Sequence, residues 1–344
     1  MRILVTGASG YVGSHVVAAL VGSGHSVRGL VRSPEKARRV LARHGSPEHE
    51  VVQGDMTDRA VVAEAIDGCD AVVHTAAVVA LDRAGAAAAA DTNQRGAEVV
   101  LGEAGRADVD VVVHLSSAAV FSLTDGAPIT EATPLTRAAG GYAASKVAIE
   151  RFVRGMQAAG APLTLLYPVG IYGGAPVEVD QTHEALAYWV NDATLNTSSG
   201  INVVDVRDVA EAAVRCVERT VIDERLVLSA GFVPWAEMGG LLDELVQGAV
   251  PRIRIPGRVL RGMGRAVDRV PALGKPVAFP LTHEAMTYAT KNVVTDGARA
   301  TQVLDLEYRP VRSTLHDALR WLAREGHLDR DWPGLVEPAH PPAG

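Results

Sequence analysis

The chain has 344 residues, with 48% hydrophobic and 4% aromatic side chains and a formal net charge of −7. That length suits one large α/β unit, or a nucleotide domain with a smaller partner lobe, and is ample for a sizeable core. The acidic balance argues against a general nucleic-acid role, and two cysteines, Cys69 and Cys216, make no disulfide framework and fit a reducing cytoplasm.

Ile3, Leu4 and Val5 form a short apolar run that predicts a buried strand. Gly7, Gly10 and Gly13 follow at three-residue spacing, after which Val12, Val16, Val17 and Leu20 recur at helical spacing until Gly22 and Gly24. In a strand, glycine turn and helix of this kind, Gly7 allows the tight turn. Gly10 lets the backbone approach a pyrophosphate, and Gly13 lets the helix pack close to the strand. The helix N-terminus then offers N–H groups and positive dipole to phosphates, so residues 7–13, including Ser9, Tyr11 and Val12, are assigned to a dinucleotide.

Residues 26–32 predict a second strand, ending at Arg32. An acid at that place accepts hydrogen bonds from the adenosine ribose and selects NAD; a base pairs with a 2′-phosphate. Arg32 therefore predicts NADP(H), with NAD(H) as the alternative. Residues 34–43 read as a basic helix, 51–53 as a third strand and 59–67 as a helix, with Asp55 or Asp58 as its cap. Residues 70–74 are a fourth strand, followed by Thr75, Ala76 and Ala77, whose small side chains would let a cofactor lie across the strand ends. A helix over 84–107, a fifth strand over 109–115, a helix over 140–156 and a sixth strand over 163–167 complete the alternation. It predicts a parallel sheet with helices on both faces.

The fifth strand leads into Ser117, and the helix over 140–156 carries Tyr142 and Lys146 on one face, one turn apart. A phenol has a reference pKa of about 10 and is a poor base near neutrality. A lysine ammonium one turn away favours the phenolate. Tyr142 is then a candidate general acid in reduction and general base in oxidation, with Lys146 also holding the nicotinamide ribose. Ser117 is a candidate donor to the reacting oxygen. The eleven histidines show no metal-ligand spacing, so no metal is expected. The apolar N-terminal run is too short for a signal peptide, and the uncharged stretch 155–177 holds Pro162, Pro168 and Pro176 and is not expected to span a membrane.

Thr6-Gly7-x-x-Gly10-x-x-Gly13 with Tyr142-x-x-x-Lys146 resembles the extended branch of the short-chain dehydrogenase/reductase superfamily, the NAD-dependent epimerase/dehydratase family, over roughly residues 1–220. The resemblance implies an α/β fold: a Rossmann-type doubly wound parallel sheet with a smaller C-terminal substrate-binding lobe. It assigns Asp55 to the adenine amino group, and Met56 and Pro168 to the cofactor. Asn93, in Asn93-Gln94-Arg95-Gly96, is implied to fix a helix kink and a water near Lys146. The stretch 203–210 resembles the family's VxVxDVA and returns the chain to the nucleotide domain. The expected organisation is therefore 1–173 with 201–230 as that domain, 174–200 and 231–330 as the lobe, and 331–344 as a loose tail.

Within the family, Ala118-Ala119 stand where 4,6-dehydratases carry Asp-Glu, and Arg32 in Val27-Arg28-Gly29-Leu30-Val31-Arg32 resembles the NADPH-using reductases. The expectation is an oxidoreductase acting on a ketone, an aldehyde or a secondary alcohol, closest in pattern to dihydroflavonol reductases and 3β-hydroxysteroid dehydrogenases. A nucleotide-sugar epimerase with tightly held NAD is the alternative, because Ser116-Ser117-Ala118-Ala119-Val120-Phe121 is close to the epimerase form SSATVY. Family members often dimerise through the helices equivalent to 84–107 and 140–156. Residues 250–280 hold Arg252, Arg254, Arg258, Arg261, Arg265, Arg269 and Lys275 against the single acid Asp268. Val259, Leu260, Met263 and Val267 are expected to form the apolar side of a helix there. Its basic face is read as solvated, or as a site for an acidic substrate group or a peripheral membrane contact.

Overall fold

The computed structural model describes residues 1–45, 49–78, 83–123, 126–137, 141–174, 176–269, 283–288, 290–291 and 293–336; the side chains of 83–86, 141–142, 195, 284–285 and 288 fall outside that description. In chain order the first half runs β1 (Arg2–Thr6), α1 (Tyr11–Gly22), β2 (Ser26–Val31), α2 (Pro34–Ala42), β3 (Glu50–Gln53), α3 (Arg59–Ile66), β4 (Ala71–His74), α4 (Arg83–Ala104), β5 (Val111–Leu115), α5 (Gly141–Ala158) and β6 (Leu163–Pro168). The second half runs β7 (Gly170–Tyr172), α6 (Gln181–Asn191), β8 (Thr194–Asn196), β9 (Gly200–Asp205), α7 (Val206–Glu218), β10 (Arg225–Leu228), β11 (Gly231–Pro234), α8 (Trp235–Val246), β12 (Arg252–Arg254), α9 (Gly257–Arg269), α10 (His283–Tyr288), α11 (Ala298–Leu304) and α12 (Val311–Arg324).

Seven strands form one parallel sheet in the order β10-β6-β5-β4-β1-β2-β3. The order reverses at β1, so β1 and β4 flank the switch point at which open α/β sheets bind ligands. Alternation along each strand sends its side chains to two cores. Ile3 and Val5 join Val16, Val17, Leu20 and Val209 on one face, while Leu4 and Val72 join Val62, Val100, Leu101, Val147 and Val153 on the other. Fully burying such a side chain contributes about 1.5–3 kcal/mol.

The helix starts follow local chemistry. Ser33 caps α2 ahead of Pro34, and Asp58, not Asp55, caps α3 by accepting from the Ala60 and Val61 amides. The buried Arg28 of β2 donates to the Ala65 and Asp67 carbonyls, closing the end of α3, and pairs with Glu50 at 2.8 Å. The second strand ends at Val31, one residue earlier than expected, which frees Arg32 from the sheet.

A third core gathers Tyr172, Leu186, Trp189, Trp235, Met238, Leu242, Leu315 and Trp321 around α6, α8 and α12, beside the three-stranded sheet β11-β9-β7. Two carboxylates tie this lobe to the main sheet. Asp205 caps α7 and accepts from Arg207 and from Thr314 of α12, and Asp208 pairs with Arg309. At the start of the expected tail, Trp332 and Leu335 are buried, with Trp332 lying against Gly248. Residues 337–344 lie outside the described residues. Among the described residues no helix is long and apolar enough to cross a membrane.

Candidate active site

The C-terminal ends of the parallel strands share one edge of the sheet, and the residues singled out in the sequence leave the strands there. Gly7, with φ of +74°, turns the chain directly after β1; a Cβ on it would stand 2.8 Å from the backbone of Ala76. A Cβ on Gly13 would overlap the Gly7 carbonyl, so this glycine is required by the packing of α1 on its own loop. Gly10 differs: it is exposed, and its Cβ would meet only the Gly7 carbonyl at 3.2 Å. It is the N-cap of α1 and provides no side-chain cap, leaving the first amides of the helix turned to the open side of the loop. An open approach over a glycine at an uncapped helix N-terminus fits a pyrophosphate.

Tyr11 sends its ring away from this opening. It packs edge-on against His183 at 5.3 Å, and His183 is itself bonded to Asp180 and to the Gly173 carbonyl. The glycine loop thus rests on the lobe. Ser9 and Val12 are partly buried beside it.

Thr75 and Ala76 follow β4 and bind back to β1. The Thr75 hydroxyl donates to the Thr6 carbonyl at 2.7 Å, and the Ala76 amide reaches the Thr6 hydroxyl at 3.4 Å. Ala77 is exposed. Arg32 is exposed at the end of β2, and among the described residues its guanidinium has no carboxylate partner; Lys36, one turn into α2, is paired with Glu178 of the lobe at 2.6 Å. Asp55 accepts from the Thr57 amide and hydroxyl, and these bonds, aided by the charges of Arg32 and Arg95, hold its carboxyl below the ordinary range. Met56 lies over Gly96 of α4, where a Cβ would strike its sulfur, so the glycine of Asn93-Gln94-Arg95-Gly96 makes room for Met56. Asn93 is buried and clamps the chain beyond β4, accepting from the Val78 amide and donating to its carbonyl.

Ser117 leaves β5 in extended conformation, and its hydroxyl accepts from the Ala119 amide at 3.2 Å, capping the short turn 118–120. Tyr142 opens the first turn of α5; its ring lies outside the described residues. Lys146 is buried one turn on. Its charge bears on two imidazoles, His74 at the end of β4 and His114 one residue before the end of β5, that face each other in direct register and stack with centroids 5.1 Å apart. Burial pushes His74 down to about 3 and His114 well below the usual histidine range, with Lys146 adding to both. Both rings are therefore neutral. His74 is bonded to the Thr6 hydroxyl, while both ring nitrogens of His114 lack a partner among the described residues.

Sequence reasoning missed this histidine pair and the role of Glu150. Glu150, fully buried one turn beyond Lys146, accepts from Ser116 at 2.7 Å, Arg154 at 2.7 Å and the Tyr167 hydroxyl at 2.5 Å. Ser116 precedes Ser117 and Tyr167 precedes Pro168, so one carboxylate fixes β5, α5 and β6 beside three of the candidate residues. The available signal was a charged residue at an apolar position of α5. Among the described residues no group of three metal-ligating side chains gathers.

The model of the NAD dependent epimerase/dehydratase family matches residues 3–227. The chain belongs to this family. It is 34% identical over 228 residues to 4-hydroxy-2-methyl-3-oxo-4-farnesyl-3,4-dihydroquinoline-1-oxide ketoreductase of Stigmatella aurantiaca, covering 64% of this chain and 65% of that protein. It is 38% identical over 191 residues to 3 beta-hydroxysteroid dehydrogenase/Delta 5-->4-isomerase of Mycobacterium tuberculosis, covering 53% of this chain and 49% of the relative. A putative dihydroflavonol 4-reductase of Synechocystis is 25% identical over 94% of this chain and 95% of its own length. The chain thus spans about half to nearly all of the curated relatives it matches. The solved structure of gox2253 superposes with a TM-score of 0.81 at 25% identity over 95% of this chain and 99% of the other. The resemblance to the extended reductases and hydroxysteroid dehydrogenases, and the Rossmann-type sheet it implied, are borne out.

Proposed function

We propose that this chain is an NADP(H)-dependent oxidoreductase that moves a hydride between nicotinamide and a ketone, an aldehyde or a secondary alcohol. The observation that carries the reading is the place of Lys146: buried on α5, one turn below Tyr142, with its charge reaching the ends of β4 and β5 at the edge where the glycine loop opens. Reductase and dehydrogenase names among the relatives support the same class.

In this reading the loop from Gly7 to Gly13 holds the pyrophosphate, with Ser9 at its wall and Tyr11 and Val12 supplying the first helical amides. Asp55 and Met56 meet the adenine, Thr75, Ala76 and Ala77 floor the cofactor, and Pro168 borders the nicotinamide end. Arg32, which has no carboxylate partner among the described residues, takes the 2′-phosphate. The bound cofactor supplies the hydride chemistry. Tyr142 gives a proton to the carbonyl oxygen in reduction and takes it back in oxidation. Lys146 favours the phenolate and holds the nicotinamide ribose, and Ser117 turns its hydroxyl to the substrate oxygen. Asn93 keeps the chain beyond β4 in place through its two bonds to Val78.

The lobe built on α6, α8 and α12 supplies the substrate walls. The names of two relatives, a farnesyl dihydroquinoline oxide ketoreductase and a 3β-hydroxysteroid dehydrogenase, support a lipophilic ring ketone or alcohol as the substrate class. The reading carries a homodimer through α4 and α5, which analytical ultracentrifugation would report.

The test is loss of reduced-nicotinamide absorbance with a panel of ring ketones and aldehydes. NADPH oxidised faster than NADH, and lost in Tyr142→Phe with cofactor affinity kept, is the expected result. Absence of net oxidation, with NAD retained through dialysis and interconversion of a nucleotide sugar, would replace it by an epimerase.

A further inference from the structure

The described residues expose few large apolar side chains: Met1, Ile222, Ile253, Val259, Met263 and Val336. Three of these six, Ile253 at 44%, Val259 at 46% and Met263 at 43% exposure, fall in one short stretch of β12 and α9. Val259, Leu260, Met263 and Val267 fall within one arc of about 100° on α9, the apolar side expected of them, but that side is not buried throughout. Only Leu260 is buried, with Gly264 beside it, on the side that packs against α10; Val259 and Met263 face outward.

At about 100° per residue, Arg258, Arg265 and Arg269 fall on one stripe of α9, and Val259, Met263 and Ala266 on the stripe next to it. The outward side is thus half basic and half apolar, the reverse of a helix that hides its apolar face in a core. The arginines differ in their partners. Arg252 is paired with Asp243, and Arg261 donates to Thr290 at 2.7 Å. Among the described residues Arg254, Arg258, Arg265 and Arg269 have no carboxylate partner. The helix's one acid, Asp268, lies on the inward side and accepts from the His283 amide. All this stands in a chain whose net charge is −7.

We propose that the outward face of α9 docks on an anionic lipid surface. Apolar side chains one turn apart would enter the headgroup layer, and the arginines beside them would lay their stems along it and leave their guanidinium groups at the lipid phosphates. A protein partner fits less well. A stable protein interface buries over about 1,000 Å² around an apolar centre, whereas this helix is about 20 Å long with a narrow apolar stripe. The contact is peripheral and independent of the catalytic reading.

The test is co-sedimentation of the full chain with phosphatidylcholine vesicles, with and without phosphatidylglycerol. Binding is expected only with the anionic lipid, weakening as salt is raised. Arg258→Gln with Arg265→Gln is expected to lower the partition coefficient by roughly 30-fold. Val259→Ser with Met263→Ser should also weaken it, and Arg38→Gln on α2 should not. Melting curves matching the parent would show that the variants fold. No binding to anionic vesicles at low salt, or equal binding by the arginine variant, would overturn the proposal. So would equal affinity for polyglutamate together with indifference to the Val259 and Met263 changes, which would make the face a basic site for acidic protein.

Discussion

The Ser116 hydroxyl donates to Glu150 Oε2 at 2.7 Å, joining the residue before Ser117 to the residue one turn beyond Lys146. The other carboxylate oxygen accepts from Arg154 and Tyr167, so the strand ends and α5 are aligned through one buried group. Glu150→Leu removes the acceptor of three donors. It should cost about 3–5 kcal/mol of stability, the usual result of breaking a buried pair from one side. Glu150→Gln keeps an acceptor and should melt between the two. Its kcat should fall while the cofactor Kd stays near the parent's, because Gly7 to Gly13 are untouched. Thermal melts and cofactor titration check this, and a Glu150→Leu protein as stable as the parent would contradict it.

Gly10 and Gly13 should fail in different ways. A Cβ at Gly13 overlaps the Gly7 carbonyl, so Gly13→Ala must move α1 and should lower the melting temperature as well as cofactor affinity. At Gly10 a Cβ would meet only the Gly7 carbonyl, at 3.2 Å. Gly10→Ala should lose less melting temperature than Gly13→Ala yet bind dinucleotide more weakly than the parent, as nicotinamide fluorescence would read out. Equal melting losses in both variants would show that the opening is not a ligand approach.

Arg32→Asp should reverse the cofactor preference. A charge-assisted bond to phosphate is worth about 1.5–3 kcal/mol, so kcat/KM for NADPH should fall about 10- to 100-fold relative to NADH. An unchanged ratio would remove Arg32 from the 2′-phosphate role. Lys36 is held by Glu178, so Lys36→Ala should have the smaller effect.

Acid should loosen the fold below the ordinary histidine range. Burial lowers His15 to about 4 and His74 to about 3, and also lowers His44 and His114. The folded pKa values lie below the unfolded value of about 6.5, so the unfolded chain binds more protons between them. Stability is therefore full above pH ~6.5 and falls as the pH drops toward the folded values. Melting temperature against pH should decline over this window. His15→Phe, at a site where His15 packs edge-on against His44 at 4.5 Å, should flatten the decline, and an unaltered slope would contradict the assignment.

Local chemistry made much of this protein readable from its chain. Three apolar residues, a glycine at positive φ and an uncapped helix start are local matters, so β1, its turn and α1 were legible, as were the alternation through β6 and the family. That positions 142 and 146 lie one turn apart on α5 was legible for the same reason, since helical spacing fixes it. Contacts between distant segments were not. His74 and His114 are 40 positions apart, each an ordinary strand residue, and only the register of β4 on β5 stacks them. Glu150 stands as a charge at an apolar position of α5, but its partners are set only when β5 and β6 close on it from both sides. In α9 the composition announced an amphipathic helix, but which side turns inward was decided by α10 packing on Leu260 and Gly264. The sequence by itself determined the elements, their alternation and the glycine grip, because backbone preference and side-chain period act over a few residues. Tertiary structure decided which buried polar groups meet and which apolar side chains stay outside, because those depend on which surfaces the folded sheet brings together.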